Sequence, residues 1–394
     1  MLVVDFLIAI LLIAALVAGL RAGLFSALGA LCGLVAGGLI APWALPMVSE
    51  AVTDSAWRPV AVVAAAVALL AVGAALGSLV GAVIRRGADR LRLKAIERLL
   101  GGALAVVAAG LAIALAGSGI AAAGIPVVSA AVSSSTVLRT IDRLTPAPAA
   151  EAMARLHSAV LGDTVLPTID GLLDEGLEGT DVADPGTVDI EAPALREAAA
   201  SVARVHGVVP SCGRGATGTG FVVADDLIMT NAHVVAGMET PIVELPGEPA
   251  RDGTVVYFDP VDDLAVIAAD VDAAPLSVTE PLAAGAAAAV LGYPYGGPFR
   301  LVDAGVTMVG SAPIDDIYGA AASSREVYAL AAEVHPGNSG GPLLTPDGAV
   351  AGVVFARDEF QADVGYAMST AEVLPVLAQL GDAVEPVSTG SCVG

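Results

Sequence analysis

Three short segments in the second half of the chain carry residue types that could do chemistry together. The first ends in Thr230-Asn231-Ala232-His233, the second is Asp262-Asp263 before an apolar run, and the third is Gly337-Asn338-Ser339-Gly340-Gly341. A serine hydroxyl is a weak nucleophile until a base takes its proton, and a carboxylate can orient that base. Each segment alone is compatible with an ordinary turn, but together they predict nucleophilic catalysis.

Strands must position these segments. From about residue 198, short runs rich in Val, Ala and Ile alternate with turns of Gly, Pro and Asp. This pattern predicts an all-β fold, and about a dozen strands fit two small six-stranded barrels. Each of the three segments lies at the end of a predicted strand. A final helix is predicted over 370–380.

The elements that carry these residues resemble chymotrypsin-fold serine proteases of the HtrA/DegP type. They are Gly218-Thr219-Gly220-Phe221, Thr230-Asn231-Ala232-His233-Val234, Asp263-Leu264-Ala265 and Gly337-Asn338-Ser339-Gly340-Gly341-Pro342-Leu343. The resemblance implies a serine endopeptidase with a triad of His233, Asp263 and Ser339, working through an acyl-enzyme without a cofactor or metal. It favours Asp263 over Asp262 because Asp263 directly precedes the apolar strand, as in the family motif.

Further site residues follow from the same resemblance. The backbone N–H groups of Gly337 and Ser339 are expected to form the oxyanion hole, which stabilises the negative oxygen of the tetrahedral intermediate. Glu333 falls where chymotrypsin-like enzymes place the base of the substrate pocket, which would favour a basic side chain. A strand residue turned elsewhere is the alternative for Glu333. His335 is expected to line the cleft.

The first 125 residues have a different character. Four apolar stretches, roughly 2–20, 24–48, 59–84 and 99–125, are each long enough to cross a membrane. Small residues recur four positions apart in them, a spacing that lets helices approach closely in lipid. Asp5 followed by Gly19-Leu20-Arg21-Ala22-Gly23-Leu24 resembles the start of CvpA (colicin V production) membrane domains.

Basic residues predict the topology of these spans. Six of them, from Arg85 to Arg98, lie between spans three and four, which makes that loop cytoplasmic. The segment after span four is then extracytoplasmic, so the chain is expected to be a multi-pass protein of the cell (inner) membrane with a periplasmic protease. Cys212 and Cys392 would lie in a compartment that permits disulfides, so we expect them to pair. Two free thiols are the alternative.

The predicted organisation is therefore an N-terminal all-α transmembrane domain of four helices (1–125), a linker with a short helix (126–197) and an all-β chymotrypsin-like double β-barrel (198–394). This architecture resembles the mycobacterial acid-resistance proteases, which implies a role in the envelope, acid or oxidative stress response. The expected partners are the lipid bilayer and extracytoplasmic proteins or peptides.

Charge and composition exclude other classes. The net charge of −23 is concentrated after residue 125, where 10 basic and 36 acidic residues leave no basic surface for nucleic acid. Two alternatives to a protease remain. One is a catalytically idle protease fold used as a binding or sensor module on a membrane anchor. The other, a transporter or channel with an appended sensor, conflicts with the lack of intramembrane His, Lys or paired carboxylates.

Overall fold

The chain folds into two compact units, Met1–Leu161 and Gly162–Gly394. The computed structural model describes residues 2–52, 57–88, 94–122, 132, 135–161, 166–169, 178–209, 211–212, 214–380 and 385–393. The domain limits derived from the sequence stay a prediction, but the boundary between the two compact units falls inside the segment predicted as a linker.

The first unit is helical. Its helices are α1 (Leu2–Ala22), α2 (Leu24–Ala51), α3 (Arg58–Ala88), α4 (Lys94–Ala122), α5 (Thr136–Leu144) and α6 (Ala147–Leu161). Within the described residues, α1 to α4 are the helices long and apolar enough to cross a membrane. They coincide with the four predicted spans to within a few residues at each end.

Glycine lets α2 and α3 approach closely. A side chain built on Gly29, Gly33 or Gly37 of α2 would meet the backbone of α3, and one on Gly73 or Gly77 of α3 would meet the backbone of α2. Lipid gives no hydrophobic drive for helix association, so packing of such small residues is the main source of cohesion. The predicted small-residue stripes therefore form a helix–helix interface.

The segment predicted as a linker begins with ordered helices. Ser135 caps α5 by accepting a hydrogen bond from the Leu138 N–H at 3.2 Å, and its hydroxyl donates to Asp5 Oδ1 of α1 at 2.5 Å. Leu138 is buried with Ile8 of α1. The predicted short helix over 149–161 is α6, which begins two residues earlier.

The second unit contains fifteen strands among the described residues, together with short helices. The strands are β1 (Thr168–Ile169), β2 (Glu178–Val182), β3 (Val202–Val209), β4 (Arg214–Ala224), β5 (Leu227–Thr230), β6 (Ile242–Glu244), β7 (Arg251–Asp252), β8 (Thr254–Asp259), β9 (Leu264–Ala268), β10 (Ala287–Gly292), β11 (Arg300–Asp315), β12 (Ala322–Ala331), β13 (Pro342–Leu344), β14 (Val350–Asp358) and β15 (Val364–Ser369). The helices are α7 (Pro193–Ala198), α8 (Ala232–Val235) and α9 (Thr370–Leu380).

These strands form two sheets. The first sheet has the order β7-β6-β3-β4-β5-β9-β8. In the second, β14-β13-β10-β11-β12-β15 closes into a six-stranded antiparallel barrel because β15 also pairs with β14. The sequence predicted twelve of these strands, all but β1, β2 and β7, because each of the twelve alternates or forms a short apolar run between turn residues. Helix α9 coincides with the predicted final helix.

Part of the predicted linker belongs to this second unit. Strand β1 pairs in parallel with β14, and β2 pairs with β11, while α7 leads directly into β3. A tether between the membrane spans and residue 198 is therefore too simple a description. The segment lacks apolar alternation because its strands are added at sheet edges, where pairing partners supply the hydrogen bonds.

Three apolar clusters hold the second unit together. One lies within the first sheet and one within the second. The third joins residues of both sheets, among them Phe221, Met229 and Leu264 from the first and Leu291 and Tyr366 from the second. Burial of this shared cluster fixes the two sheets against each other.

We expect Gly33→Ala to destabilise the helical unit. The added Cβ would collide with the backbone of Gly73 and Ala74, which cannot yield as a flexible side chain would. Overpacking of this kind costs about 1–3 kcal/mol. Thermal unfolding of the full-length protein in detergent measures the loss. Gly110→Ala is the matched control, since its Cβ would meet only Ile141 at an ordinary 3.8 Å. Equal melting temperatures for the two variants would contradict the interface.

Candidate active site

Two neighbouring strands of the first sheet bring His233 and Asp263 together. Strands β5 and β9 are antiparallel, and Thr230 lies opposite Ala265 at the end of the pairing. His233 follows in α8, three residues after β5 ends, and Asp263 directly precedes β9. The same sheet edge therefore presents both side chains, and both residues are buried.

Asp263 holds His233 by two hydrogen bonds. Its Oδ1 accepts from the backbone N–H of His233 at 2.9 Å, and its Oδ2 lies 2.7 Å from Nδ1 of the ring. An ionised carboxylate only accepts, so Nδ1 carries the proton and Nε2 is left with its lone pair. Asp263 adopts a left-handed φ of 53°, and its carbonyl accepts from Asn231 Nδ2 at 2.8 Å.

The neighbouring Asp262 has a different environment. Its backbone N–H donates to Asp259 Oδ1 at 3.1 Å. Burial, with the nearby charge of Asp259, raises the pKa of the Asp262 carboxyl. Asp263 is therefore the carboxylate that the structure sets against the histidine ring, in agreement with the choice made from the strand position.

The Nε2 atom of His233 is buried and has no hydrogen-bond partner among the described residues. The sequence predicts that this nitrogen contacts Ser339, and the structure does not form that hydrogen bond. Catalytic hydrogen bonds are often long in free enzymes and shorten only when substrate binds. A buried ring nitrogen that is free to accept a proton is nevertheless what a general base requires.

Ser339 lies in the loop between β12 and β13, and every carbonyl from His335 to Ser339 accepts a hydrogen bond. Asn338 N–H donates to His335 O at 2.9 Å, Tyr295 N–H to Pro336 O at 2.5 Å and Gly341 N–H to Asn338 O at 2.9 Å. The carbonyls of Gly337 and Ser339 accept from Thr219, at 2.7 and 2.8 Å. A trans peptide directs its N–H opposite to its carbonyl. The bonds to Pro336 O and Asn338 O therefore set the direction of the N–H groups of Gly337 and Ser339, which belong to the same two peptides.

Two glycines of this loop need their missing side chain. Gly337 has φ 96° and Gly340 has φ 80°, in the left-handed region that favours glycine. A Cβ on Gly337 would meet Tyr293 O, and one on Gly340 would meet Thr219 O and Thr230 Oγ1. The loop thus lies directly on the strands that lead to His233. Ser339 itself is fully buried.

The two remaining predicted residues form a small polar cluster beside this loop. His335 Nε2 lies 3.2 Å from Glu333 Oε1, and its Nδ1 lies 3.3 Å from Tyr295 Oη, with the two rings stacked. The side chain of Glu333 is 66% exposed. Glu333 therefore lies in the loop just after β12 as a surface carboxylate beside His335, and its role in the substrate pocket stays a prediction.

A partly buried ionic cluster, Arg204, His206 and Glu244, supports the other side of the loop. Glu244 pairs with the Arg204 guanidinium and lies 3.1 Å from His206 Nε2. Burial alone would raise the pKa of Glu244, but the charge of Arg204 and the contact with His206 hold it well below its usual value near 4.5. Arg204 Nη1 also donates to Gly296 O at 2.8 Å, next to the Tyr295 backbone that binds Pro336.

A disulfide joins Cys212 to Cys392. The final segment, 385–393, lies along the first sheet: Val387 N–H donates to Val255 O, Gly237 N–H to Thr389 O, and the Thr389 hydroxyl to Met238 O. The disulfide and these hydrogen bonds attach the C-terminal segment, which follows the second sheet and α9, to the first sheet.

Sequence reasoning missed several residues that shape the site. Thr219 and Asn231 lie inside motifs that the sequence analysis recognised, but it assigned them no role. Membership of those motifs was the only signal that could have indicated one. Tyr295, Arg204 and Glu244 have no motif, and only the folded chain brings them to the loop. Among the described residues, no three His, Cys, Asp or Glu side chains form a group that could hold a metal ion.

Two antiparallel sheets with a histidine and a buried serine loop at their junction define a trypsin-like serine protease. Comparison with known proteins agrees: a family model described as trypsin-like peptidase domain matches residues 218–353, and one described as colicin V production protein matches residues 4–146.

Comparison with individual proteins identifies a narrower family. The Mycobacterium tuberculosis serine protease Rv3671c is 34% identical over 316 residues, which cover 78% of each chain. The crystal structure of its protease in the active form is 38% identical, with a TM-score of 0.52, and covers 54% of this chain and 95% of that one. A mitochondrial serine protease HTRA2 from Bos taurus is 34% identical over 34% of this chain and 30% of its own. The chain belongs to the family of the serine protease Rv3671c.

Glu244 predicts how stability depends on pH. Its pKa is lowered on folding, so its ionised form stabilises the protein above about pH 4.5, and this contribution is lost as the pH falls below that value. We expect Glu244→Gln to lower the free energy of unfolding by about 2 kcal/mol at pH 7, and by progressively less below pH 4.5. Hydrogen–deuterium exchange of peptides from β3 and β6, followed as the protein is heated, reports on this unit.

The exposed Glu239 gives the matched control, Glu239→Gln, which should melt like the wild type at every pH. A Glu244→Gln protein whose deficit is the same at pH 7 and pH 4 would show that the ionic pairing does not stabilise the fold.

Proposed function

We propose that the protein is a membrane-anchored serine endopeptidase in which Ser339 is the nucleophile, His233 the general base and Asp263 the orienting carboxylate. The observation that carries this proposal is the pair of hydrogen bonds that Asp263 accepts from His233, which leaves the buried Nε2 as the acceptor. Family membership makes it a serine protease, and the geometry supports these roles.

The proposed reaction uses only side chains and backbone of the chain. His233 Nε2 takes the proton of the Ser339 hydroxyl as its oxygen attacks the scissile carbonyl, and the imidazolium is stabilised by Asp263. The N–H groups of Gly337 and Ser339 stabilise the oxyanion, a role supported by the bonds that fix the carbonyls on the opposite side. His233 then gives the proton to the leaving amine, and water releases the acyl-enzyme by the reverse sequence.

The substrates are proposed to be proteins or peptides outside the cytoplasm. Four membrane-capable helices and the colicin V production region make the chain a multi-pass membrane protein. The six basic residues from Arg85 to Arg98, where α3 ends and α4 begins, favour a cytoplasmic side for that connection, which puts the protease unit on the other side of the membrane. The disulfide fits that compartment. By likeness to its mycobacterial relatives, we propose a role in envelope, acid or oxidative stress.

An idle protease fold that only binds proteins is the second candidate. The observation in its favour is that His233 Nε2 makes no hydrogen bond to Ser339 among the described residues. A catalytic test separates the two functions.

Ser339→Ala should abolish labelling by a fluorophosphonate probe and lower peptide-bond hydrolysis at least about a thousandfold, because it removes the attacking oxygen. Asp263→Asn should lose about 10⁴-fold, since the amide favours the wrong histidine tautomer. Asp262→Asn is the matched control and should stay within a few-fold of wild type. A wild-type protein that takes no probe would favour the idle fold. A larger loss of activity in Asp262→Asn than in Asp263→Asn would assign the orienting role to Asp262.

The orientation has its own test. In a Cys32→Ser background, a cysteine introduced at the exposed Glu359 should react with a membrane-impermeant maleimide in intact bacterial cells. One introduced at the exposed Arg98 should react only after the cells are permeabilised. The bonded Cys212 and Cys392 contribute no background. Labelling in the reverse order would put the protease unit in the cytoplasm.

A further inference from the structure

Thr219 belongs to a motif whose role the proposed mechanism does not use. It lies in β4 of the first sheet, within Gly218-Thr219-Gly220-Phe221, and its side chain is fully buried. Buried threonine hydroxyls need hydrogen-bond partners, and the identity of those partners indicates what the residue holds in place.

Every polar group of Thr219 is engaged, and most of its partners lie across the junction between the two sheets. Its hydroxyl donates to Gly337 O at 2.7 Å and accepts from Tyr293 N–H at 3.0 Å. Its backbone N–H donates to Ser339 O at 2.8 Å. Its carbonyl accepts from Thr230 Oγ1 at 2.7 Å, in the strand that leads to His233. One residue thus contacts both the serine loop and the histidine strand.

Glycines of the second sheet make room for this approach. A Cβ on Gly292 would meet Thr219 Oγ1, one on Gly340 would meet Thr219 O, and one on Gly341 would meet Thr219 Cγ2. Close approach of a side chain from one sheet to the backbone of the other is possible only at positions that lack a side chain. The first sheet therefore supplies the threonine, and the second supplies the glycines that leave room for it.

We propose that Thr219 is a positioning residue that fixes the Ser339 loop of the second sheet to the first sheet. The inference rests on the proposed function of Ser339. Thr219 holds the carbonyls of Gly337 and Ser339, the same two residues whose N–H groups are proposed to bind the oxyanion. By fixing the Gly337–Asn338 peptide and the Ser339–Gly340 peptide, it sets where the Ser339 hydroxyl lies relative to His233.

The hydroxyl and the backbone of Thr219 make separable contributions. Thr219→Val keeps the shape and the N–H bond to Ser339 O but leaves Gly337 O and Tyr293 N–H buried without their partner. An unpaired buried carbonyl is costly, so the loop is expected to shift to relieve it. Misplacement of a reacting group by about 1 Å lowers rates about 10²-fold.

Labelling of the full-length protein in detergent by a fluorophosphonate probe tests the inference. We expect Thr219→Val to lower the maximal labelling rate about 10²-fold, with a change of less than about threefold in the probe concentration that gives half the maximal rate. Thr219→Ser restores the hydroxyl and should recover the rate to within about fivefold of wild type, a rescue that a merely space-filling role would not give.

Thr217→Val is the matched control. Thr217 lies two residues earlier on the same face of β4 and is also buried, but its hydroxyl donates to Val205 O within the first sheet, at 3.2 Å. Its variant should lose stability without a comparable loss of labelling rate. Melting temperatures of all variants are measured alongside, and Thr219→Ala replaces Thr219→Val should the latter not fold.

The outcomes separate the inference from the proposed function. Thr219→Val that labels like Thr217→Val, or Thr219→Ser that is as slow as Thr219→Val, overturns the inference alone. Wild type that takes no probe, or Ser339→Ala that still does, overturns the proposed function and the inference with it. A slow Thr219→Val, a rescued Thr219→Ser and an unlabelled Ser339→Ala together support both.

Discussion

The junction between the two sheets is the constraint on which the rest of the protease unit depends. His233 and Asp263 come from the first sheet and Ser339 from the second, so no single sheet contains the proposed site. Burial of the shared apolar cluster holds the two sheets together. Apolar burial is non-directional, so it would tolerate small shifts of one sheet against the other. Hydrogen bonds across the junction supply the direction, and those of Thr219 contact the serine loop itself.

Buried charge follows the same logic. Arg325, from β12, is almost fully buried and donates to the carbonyls of Ile314 and Asp315. Burial lowers its pKa, while the carboxylates of Asp263 and Asp262, on the other sheet, raise it. Arg204 lies on the other side of the Ser339 loop, where it pairs with Glu244 and donates to Gly296 O. Arg204 therefore has a carboxylate partner, whereas Arg325 bonds only to carbonyls and keeps Nε and Nη1 buried without a hydrogen-bond partner among the described residues.

Glycine serves different purposes in the two units. In the helical unit, the glycines of α2 and α3 allow backbones to touch where lipid offers no hydrophobic drive. In the protease unit, Gly337 and Gly340 supply left-handed conformations that let a loop turn sharply against a neighbouring strand. The same residue type therefore provides close packing in one unit and conformational freedom in the other.

The sequence by itself determined the elements and the chemical groups. Length and hydropathy defined the four spans, alternation and short apolar runs defined the strands from β3 onward except β7, and the motifs selected His233, Asp263 and Ser339 as candidates for catalysis. These features are local, so a short window contains them. Only the tertiary structure decided that β1 and β2 join the second sheet, that Glu333 faces solvent, and that Thr219 clamps the serine loop. Those outcomes depend on pairings between residues far apart in the chain, such as the 118 positions between Thr219 and Gly337. Such pairings leave no periodicity in the sequence because they arise from the packing of finished sheets.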